Sequence, residues 1–166
     1  MARLANWVVS HVLVRERDFD GALGATDRAV ALAPYDTFML SSLMMVLVQA
    51  GRSDQALQWA DQVAARDPAL SWFYNHRRGW AYLVLGRFAE AEQALTQTEF
   101  NDAHLLLAIA YLRLGRLADA RAEVGKMMKV NPAIALQTWR LGYSFRDRAI
   151  LDRCALDLVQ SGLPET

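Results

Sequence analysis

Apolar residues in this chain recur at helical intervals, and small residues and prolines interrupt them at regular spacings. Near the C-terminus, Leu151, Cys154, Ala155, Leu158 and Val159 fall at i, i+3, i+4, i+7 and i+8, which lines one face of a helix. The stretch Gly79–Ala91 carries the pattern on which the rest is built. Gly79 lacks a side chain, so a neighbouring helix can approach there, and Tyr82 follows three residues later on the same side. Gly86 stands where a helix must stop in a left-handed turn, and Phe88 and Ala91 open the next helix. The local unit is therefore helix, tight turn, helix.

Weaker copies of this unit run along the chain. Gly51-Arg52, Gly86-Arg87 and Gly115-Arg116 mark three turns, each followed at one offset by Ala56, Ala91 or Ala120. Arg17-Asp18-Phe19 before Ala22 is the same turn without its glycine. Pro34 and Pro68 are 34 residues apart, and Pro68 and Pro132 each follow a turn glycine by 17 residues. The spacing predicts four hairpins, over about 3–36, 37–70, 72–100 and 101–134, in a single all-α domain spanning 1–166 with no strand.

Gly86 to Gly115 is only 29 residues, so the second helix of the third hairpin must be short and the stack should bend or tighten there. Thr98–Asp102 offers a polar turn with capping residues for the next helix. After Pro132, Ala133–Leu141 reads as a short helix broken by Gly142-Tyr143-Ser144. Arg148–Ser161 then makes a final helix, stopped at Gly162-Leu163-Pro164. The segment 135–166 is expected to cap the exposed face of the last hairpin, for about ten helices in all.

Composition narrows the function classes. The 166 residues are 54% hydrophobic and 22% charged with a net charge of +0, which argues against a disordered tail and a charge-driven nucleic-acid binder. No apolar run reaches the roughly 18 residues of a membrane span. The longest, Phe38–Ala50, is broken by Ser41, Ser42 and Gln49. Cys154 is the one cysteine, so an intrachain disulfide and a thiol-ligated zinc site are excluded. With no charged-then-apolar leader at the start of the sequence, a cytoplasmic location is expected.

The repeats resemble the tetratricopeptide repeat, a 34-residue helical hairpin with Gly and Tyr in its first helix and Ala, Ala and Pro in its second. The third hairpin carries Gly79, Tyr82 and Ala91. The fourth carries Ala108, Tyr111, Ala120 and Pro132, and the first carries Ala22, Ala29 and Pro34. Departures are present: the usual Trp position holds Asn75 and His104, and Met44 stands where Gly or Ala is usual. The resemblance implies an α-solenoid.

Trp72-Phe73-Tyr74, the shortened helix after it, and Tyr143-Ser144-Phe145-Arg146-Asp147 with Ser161-Gly162-Leu163-Pro164-Glu165 resemble a narrower group. That group is the tetratricopeptide region following the cyclase domain in bacterial class III adenylate/guanylate cyclases, and following winged-helix domains in related regulators. The resemblance implies a regulatory, non-catalytic region. Nothing in the chain matches a cyclase domain.

First helices of stacked hairpins line a shared concave face. Counting from the turns, that face should present Trp7, His11, Met45, Phe73, His76, Trp80, Leu105 and Ile109, an aromatic and methionine-rich groove for an apolar helix or peptide. The alternative is that the chain's own terminal helices, or a second copy, fill it. Arg77, Arg78 and Arg87 form a secondary basic cluster, either an acidic-peptide contact or a solvated face paired with Glu90 and Glu92. The charged clamp of some tetratricopeptide proteins needs Lys and Asn where Trp7 and His11 stand, so a matching clamp is rejected.

His11, His76 and His104 form no His-Glu-x-x-His motif, although His76 and His104 occupy similar places on neighbouring first helices. No nucleophile elbow or phosphate loop occurs, and Cys154 on the apolar stripe reads as a buried, inert thiol. No catalytic residue, metal site or cofactor is expected. The reading is an interaction or regulatory scaffold for a protein or peptide partner, a further copy of itself included, with no nucleic acid. A small-ligand sensor controlling an effector is the alternative, and an enclosed pocket of about 300–1,000 Å³ would favour it.

Overall fold

The computed structural model describes every residue from Met1 to Thr166 and contains no strand. Its helices are α1 (Ala2–Arg15), α2 (Phe19–Leu32), α3 (Thr37–Gln49), α4 (Ser53–Arg66), α5 (Ser71–Val84), α6 (Phe88–Leu95), α7 (Ala103–Arg113), α8 (Leu117–Val130), α9 (Leu136–Arg140) and α10 (Arg148–Gln160). A single 3₁₀ turn, Pro68–Leu70, precedes α5. Helices α1/α2, α3/α4, α5/α6 and α7/α8 pair as hairpins, and α1, α3, α5 and α7 pack in succession to form one inner face.

The turns explain the Gly-Arg repeats. Gly51, Gly86 and Gly115 hold φ of +86°, +73° and +78°. Each lets the next amide reach back to a carbonyl five residues earlier: Arg52 to Leu47, Arg87 to Tyr82 and Arg116 to Tyr111, at 2.7–2.9 Å. At the second and third of these turns the arginine side chain then lies over a tyrosine, with Arg87 4.7 Å from the Tyr82 ring centre and Arg116 4.3 Å from that of Tyr111. Arg17 takes the same left-handed position at φ +65°. Its strain is offset by contacts that glycine could not make, a hydrogen bond to the Phe145 carbonyl at 2.9 Å and stacking on Phe19.

Helix α3 is buried from Met39 to Gln49, which accounts for the nearly continuous apolar run there. Asp36 starts it by accepting from the Met39 amide at 3.0 Å. Gly79 on α5 is covered by Leu95 of α6; a Cβ added at Gly79 would lie 2.5 Å from Leu95 Cγ. The expected short helix is present. α6 has 8 residues where α2, α4 and α8 each have 14.

The expected capping at the following turn does not occur. Asp102 precedes α7, yet its side chain makes no cap hydrogen bond. Thr98 instead donates to the Trp72 carbonyl at 2.6 Å. The final helix also departs in detail from a simple end cap, because α10 packs on α7, the inner helix of the last hairpin. Residues 134–146 lead to it by running back along the inner face, where the Arg146 amide donates to the Gln49 carbonyl at 2.8 Å. The aromatic residues of this strap need apolar surface, and the inner face supplies it.

Candidate functional site

The inner face divides into a covered and an open half. In the covered half, Trp80 is fully buried beneath the strap, with ring centres 4.6 Å from Tyr143, 5.4 Å from Phe145 and 6.3 Å from Trp139. Burial of one such side chain contributes roughly 1.5–3 kcal/mol, so this contact is a substantial part of the core. Met45, Phe73, His76, Leu105 and Ile109 are buried as well. The eight residues expected to line an accessible groove therefore reduce to two with partial exposure, Trp7 and His11. The correction has a plain cause: the chain's own strap and neighbouring side chains occupy the surface that the repeats create.

Trp7 and His11 on α1 converge on Ser42 of α3. The Trp7 indole donates to Ser42 Oγ at 3.0 Å, and His11 Nε2 lies 3.0 Å from the same oxygen. The hydroxyl accepts from the indole, which can only donate, and its remaining lone pair and hydrogen let it pair with either tautomer of the His11 ring. Burial, followed by the nearby Arg77 and Arg15 charges, lowers the His11 pKa to about 4, so the ring is neutral.

Phe38, Trp72, Phe73 and Phe100 make an aromatic edge from the starts of α3 and α5 and the loop before α7. Phe38 and Phe73 ring centres are 5.2 Å apart, and Trp72 lies 5.4 Å from both Phe73 and Phe100. Phe38 is half exposed. Arg77 lies under this edge, 4.9 Å from the Phe73 ring centre and 5.6 Å from that of Phe100. Its Nη1 sits 3.1 Å from His76 Nδ1, and its buried Nε has no acceptor.

His76 and Asp102 tie the two halves together. His76 Nε2 meets Asp102 Oδ1 at 3.0 Å, and the Tyr143 hydroxyl donates to Asp102 Oδ2 at 2.8 Å. Burial lowers the His76 pKa against the opposing pull of Asp102. Burial pushes the Asp102 carboxyl up, but the His76 and Tyr143 hydrogen bonds and the Arg77 charge together hold it below its ordinary value. Burial and the Asp102 charge raise the Tyr143 phenol.

The three arginines do not form one basic patch. Arg77 turns into the channel, Arg78 pairs with Asp61 on α4, and Arg87 pairs with Glu90 at 2.9 Å. Glu92 goes to Arg116. Nor do the histidines converge: His104 Nδ1 lies 2.7 Å from Glu123, away from the His76 partner. Cys154 is buried, and burial with the Asp157 charge pushes its thiol up to about 12, which keeps it protonated. No helix is long and apolar enough to cross a membrane.

Sequence reasoning missed Ser42, Asp102, Tyr143 and the Phe38–Phe100 edge. The shortened third repeat was the available signal, since Phe100 and Asp102 both lie in the loop that replaces the missing helix.

The stacked hairpins with glycine turns agree with the tetratricopeptide repeat profile, which matches residues 43–102 and 76–132. This chain belongs to the tetratricopeptide repeat family. No curated protein matches the sequence. Among solved structures, this tetratricopeptide protein is similar to PilW, a widely conserved type IV pilus biogenesis factor, at 22% identity and a TM-score of 0.72, over 96% of this chain and 72% of PilW. It is also similar to the MamA protein, at 17% identity and a TM-score of 0.63, over 96% of this chain and 90% of that one. These likenesses concern the fold. The closing residues have a structural role: Tyr143–Asp147 forms the end of the strap, and Leu163–Glu165 returns to hold α9, with the Leu136 amide on the Pro164 carbonyl at 2.8 Å.

Proposed function

We propose that this tetratricopeptide protein is a non-catalytic interaction scaffold. It receives a partner segment in the open half of its channel, between α1 and the aromatic edge. One observation carries the reading. Arg77 is a partly buried guanidinium stacked on two phenylalanines, with a buried Nε lacking an acceptor and no ion-pair partner. A segment that places an acidic side chain on Arg77 and apolar side chains against Phe38 and Trp7 would satisfy the guanidinium and cover the aromatic edge. The closing motif supports a regulatory region of the kind that accompanies nucleotide cyclases, with catalysis left to another domain.

Selection of a displayed random-peptide library on the folded protein tests this. The wild type should enrich peptides with Asp or Glu beside an aromatic or aliphatic residue, and Arg77→Gln with Phe38→Ala should lose them. Equal enrichment by that folded variant would remove the channel from consideration.

Self-association has its own support. Leu4, Val8, Val9 and Val12 on α1 are 42–51% exposed and stand on one side of the first hairpin. A sedimentation run showing monomer at every concentration would exclude it. The small-ligand sensor reading is weaker, because Trp80 has no accessible surface and Trp7, Val8, His11, Val12 and Arg15 border an open dish rather than an enclosed pocket.

A further inference from the structure

Residues 136–166 are tied to one another by backbone hydrogen bonds and an ion pair, and follow the hairpins through one connector, 131–135. Within this body, the Leu136 and Gln137 amides donate to the Pro164 and Glu165 carbonyls, at 2.8 and 3.3 Å, and Arg140 pairs with Asp152 across α9 and α10. The connector 131–135 makes two hydrogen bonds within itself, the Ala133 amide to the Asn131 side chain at 3.2 Å and the Ile134 amide to the Asn131 carbonyl at 3.1 Å, and otherwise bonds only to the helix ends on either side of it. Asn131, Pro132 and Ala133 are exposed.

The contact between this body and the hairpins is of two kinds. At its margins are single polar links: Tyr143 to Asp102 (2.8 Å), Arg17 to the Phe145 carbonyl (2.9 Å), Arg15 to the Leu141 carbonyl (2.5 Å), the Arg146 amide to the Gln49 carbonyl (2.8 Å), Arg146 to Asp20 (2.6 Å) and Arg113 to Asp157 (2.8 Å). At its centre the aromatic rings pack, and there the two indole nitrogens are poorly matched. The Trp80 and Trp139 indole nitrogens are buried without an acceptor. The Trp80 N–H has the Tyr143 oxygen as its neighbour, in a contact that acts on the phenol as a hydrogen bond but is too poorly aligned to satisfy the indole fully. Of the five buried side-chain atoms with no partner, these two and Arg77 Nε lie in the channel. Docking thus buries the Trp139 donor with no acceptor and the Trp80 donor with only a weak contact to Tyr143, which lowers the free energy of opening this contact relative to a fully matched core.

We propose that residues 136–166 are a built-in ligand of the channel that undocks as a unit about 131–135, uncovering Trp80 and extending the open half along the inner face. This rests on the channel reading for its purpose only. The opening is a property of the chain alone and is measured without a partner.

Native-state hydrogen exchange of the full chain in sub-denaturing guanidinium tests it. Amides of Trp139, Arg146 and Leu158 should exchange at least about 100-fold faster than those of Leu43–Leu47 and Leu106–Ile109, with one shared denaturant slope smaller than the global one. Tyr143→Phe should speed the first set about tenfold while leaving α1–α4 amides unchanged, which a purely structural core residue would not do. The proposal is overturned if the wild-type sets exchange together, or if α9 and α10 amides have different slopes and so fray separately. These wild-type readouts stand even if the variant fails to fold.

Discussion

Tyr143 and Asp102 are joined across the channel by a hydrogen bond of 2.8 Å, between residues 41 apart in the chain. Asp102 also holds His76 at 3.0 Å, so one carboxylate serves two partners, a buried histidine and a partly buried tyrosine. Tyr143→Phe should cost about 1–1.5 kcal/mol and Asp102→Ala more, roughly 2–3 kcal/mol, because the latter leaves both partners without an acceptor. Adding Tyr143→Phe to Asp102→Ala should then cost almost nothing further. Urea midpoints of the four proteins give the answer; additive losses would mean that the two groups do not share the interaction.

Close packing at Gly79 gives a second expectation. Leu95 sits where a Gly79 side chain would go, and Ala91 beside it has no exposed surface. Gly79→Leu and Ala91→Leu should each cost about 1–3 kcal/mol by overpacking. Thermal melts measure this, and unchanged stability in both variants would contradict the packing described for α5 and α6.

His11 should make stability depend on pH in a defined window. Its pKa is lowered from 6.5 to about 4, chiefly by burial and then by Arg77 and Arg15. Above pH 6.5 the ring is neutral whether folded or unfolded, and the neutral ring's contribution is fully present. Between 6.5 and about 4 the unfolded ring takes a proton that the folded one refuses, so stability falls as pH falls. The loss is on the order of 1–3 kcal/mol. His11→Gln should flatten this slope, leaving the part due to His76, whose pKa is also lowered. An identical slope in the variant would show that His11 is not held neutral.

Ending the chain at Asn131 should uncover Trp80, Leu105 and Ile109, which now have almost no exposed surface. The truncated protein should melt at a lower temperature and self-associate, as light scattering after size exclusion would report. A truncated monomer with an unchanged melt would mean that the strap contributes nothing to the hairpins.

The hairpins were legible because each depends on local residues: a left-handed glycine, a small alanine at a crossing, a proline in a connector. The destination of residues 134–146 was not. Their pattern reads as a short helix and a break, and nothing local states that Trp139 and Phe145 lie on Trp80, some 60 residues back. Periodicity reports the side a residue faces and not what covers it, so the pattern of inner-face residues leaves open whether their groove is free or filled by the chain's own terminal segment. Arg77 was grouped with Arg78 by adjacency, whereas neighbouring helix positions point about 100° apart and these two face different helices.

The brevity of α6 reaches beyond its own hairpin. A full-length second helix would continue past Leu95 through the space where residues 96–102 now turn inward. That loop delivers Phe100 to Trp72, Phe73 and His76, and Asp102 to His76 and Tyr143. Restoring a regular repeat by inserting five helix-forming residues after Leu95 would carry both side chains away and erase the border between the covered and open halves. In this solenoid a deletion, rather than any single residue chemistry, creates the individuality of the channel: the irregular step in the staircase is the one with a landing.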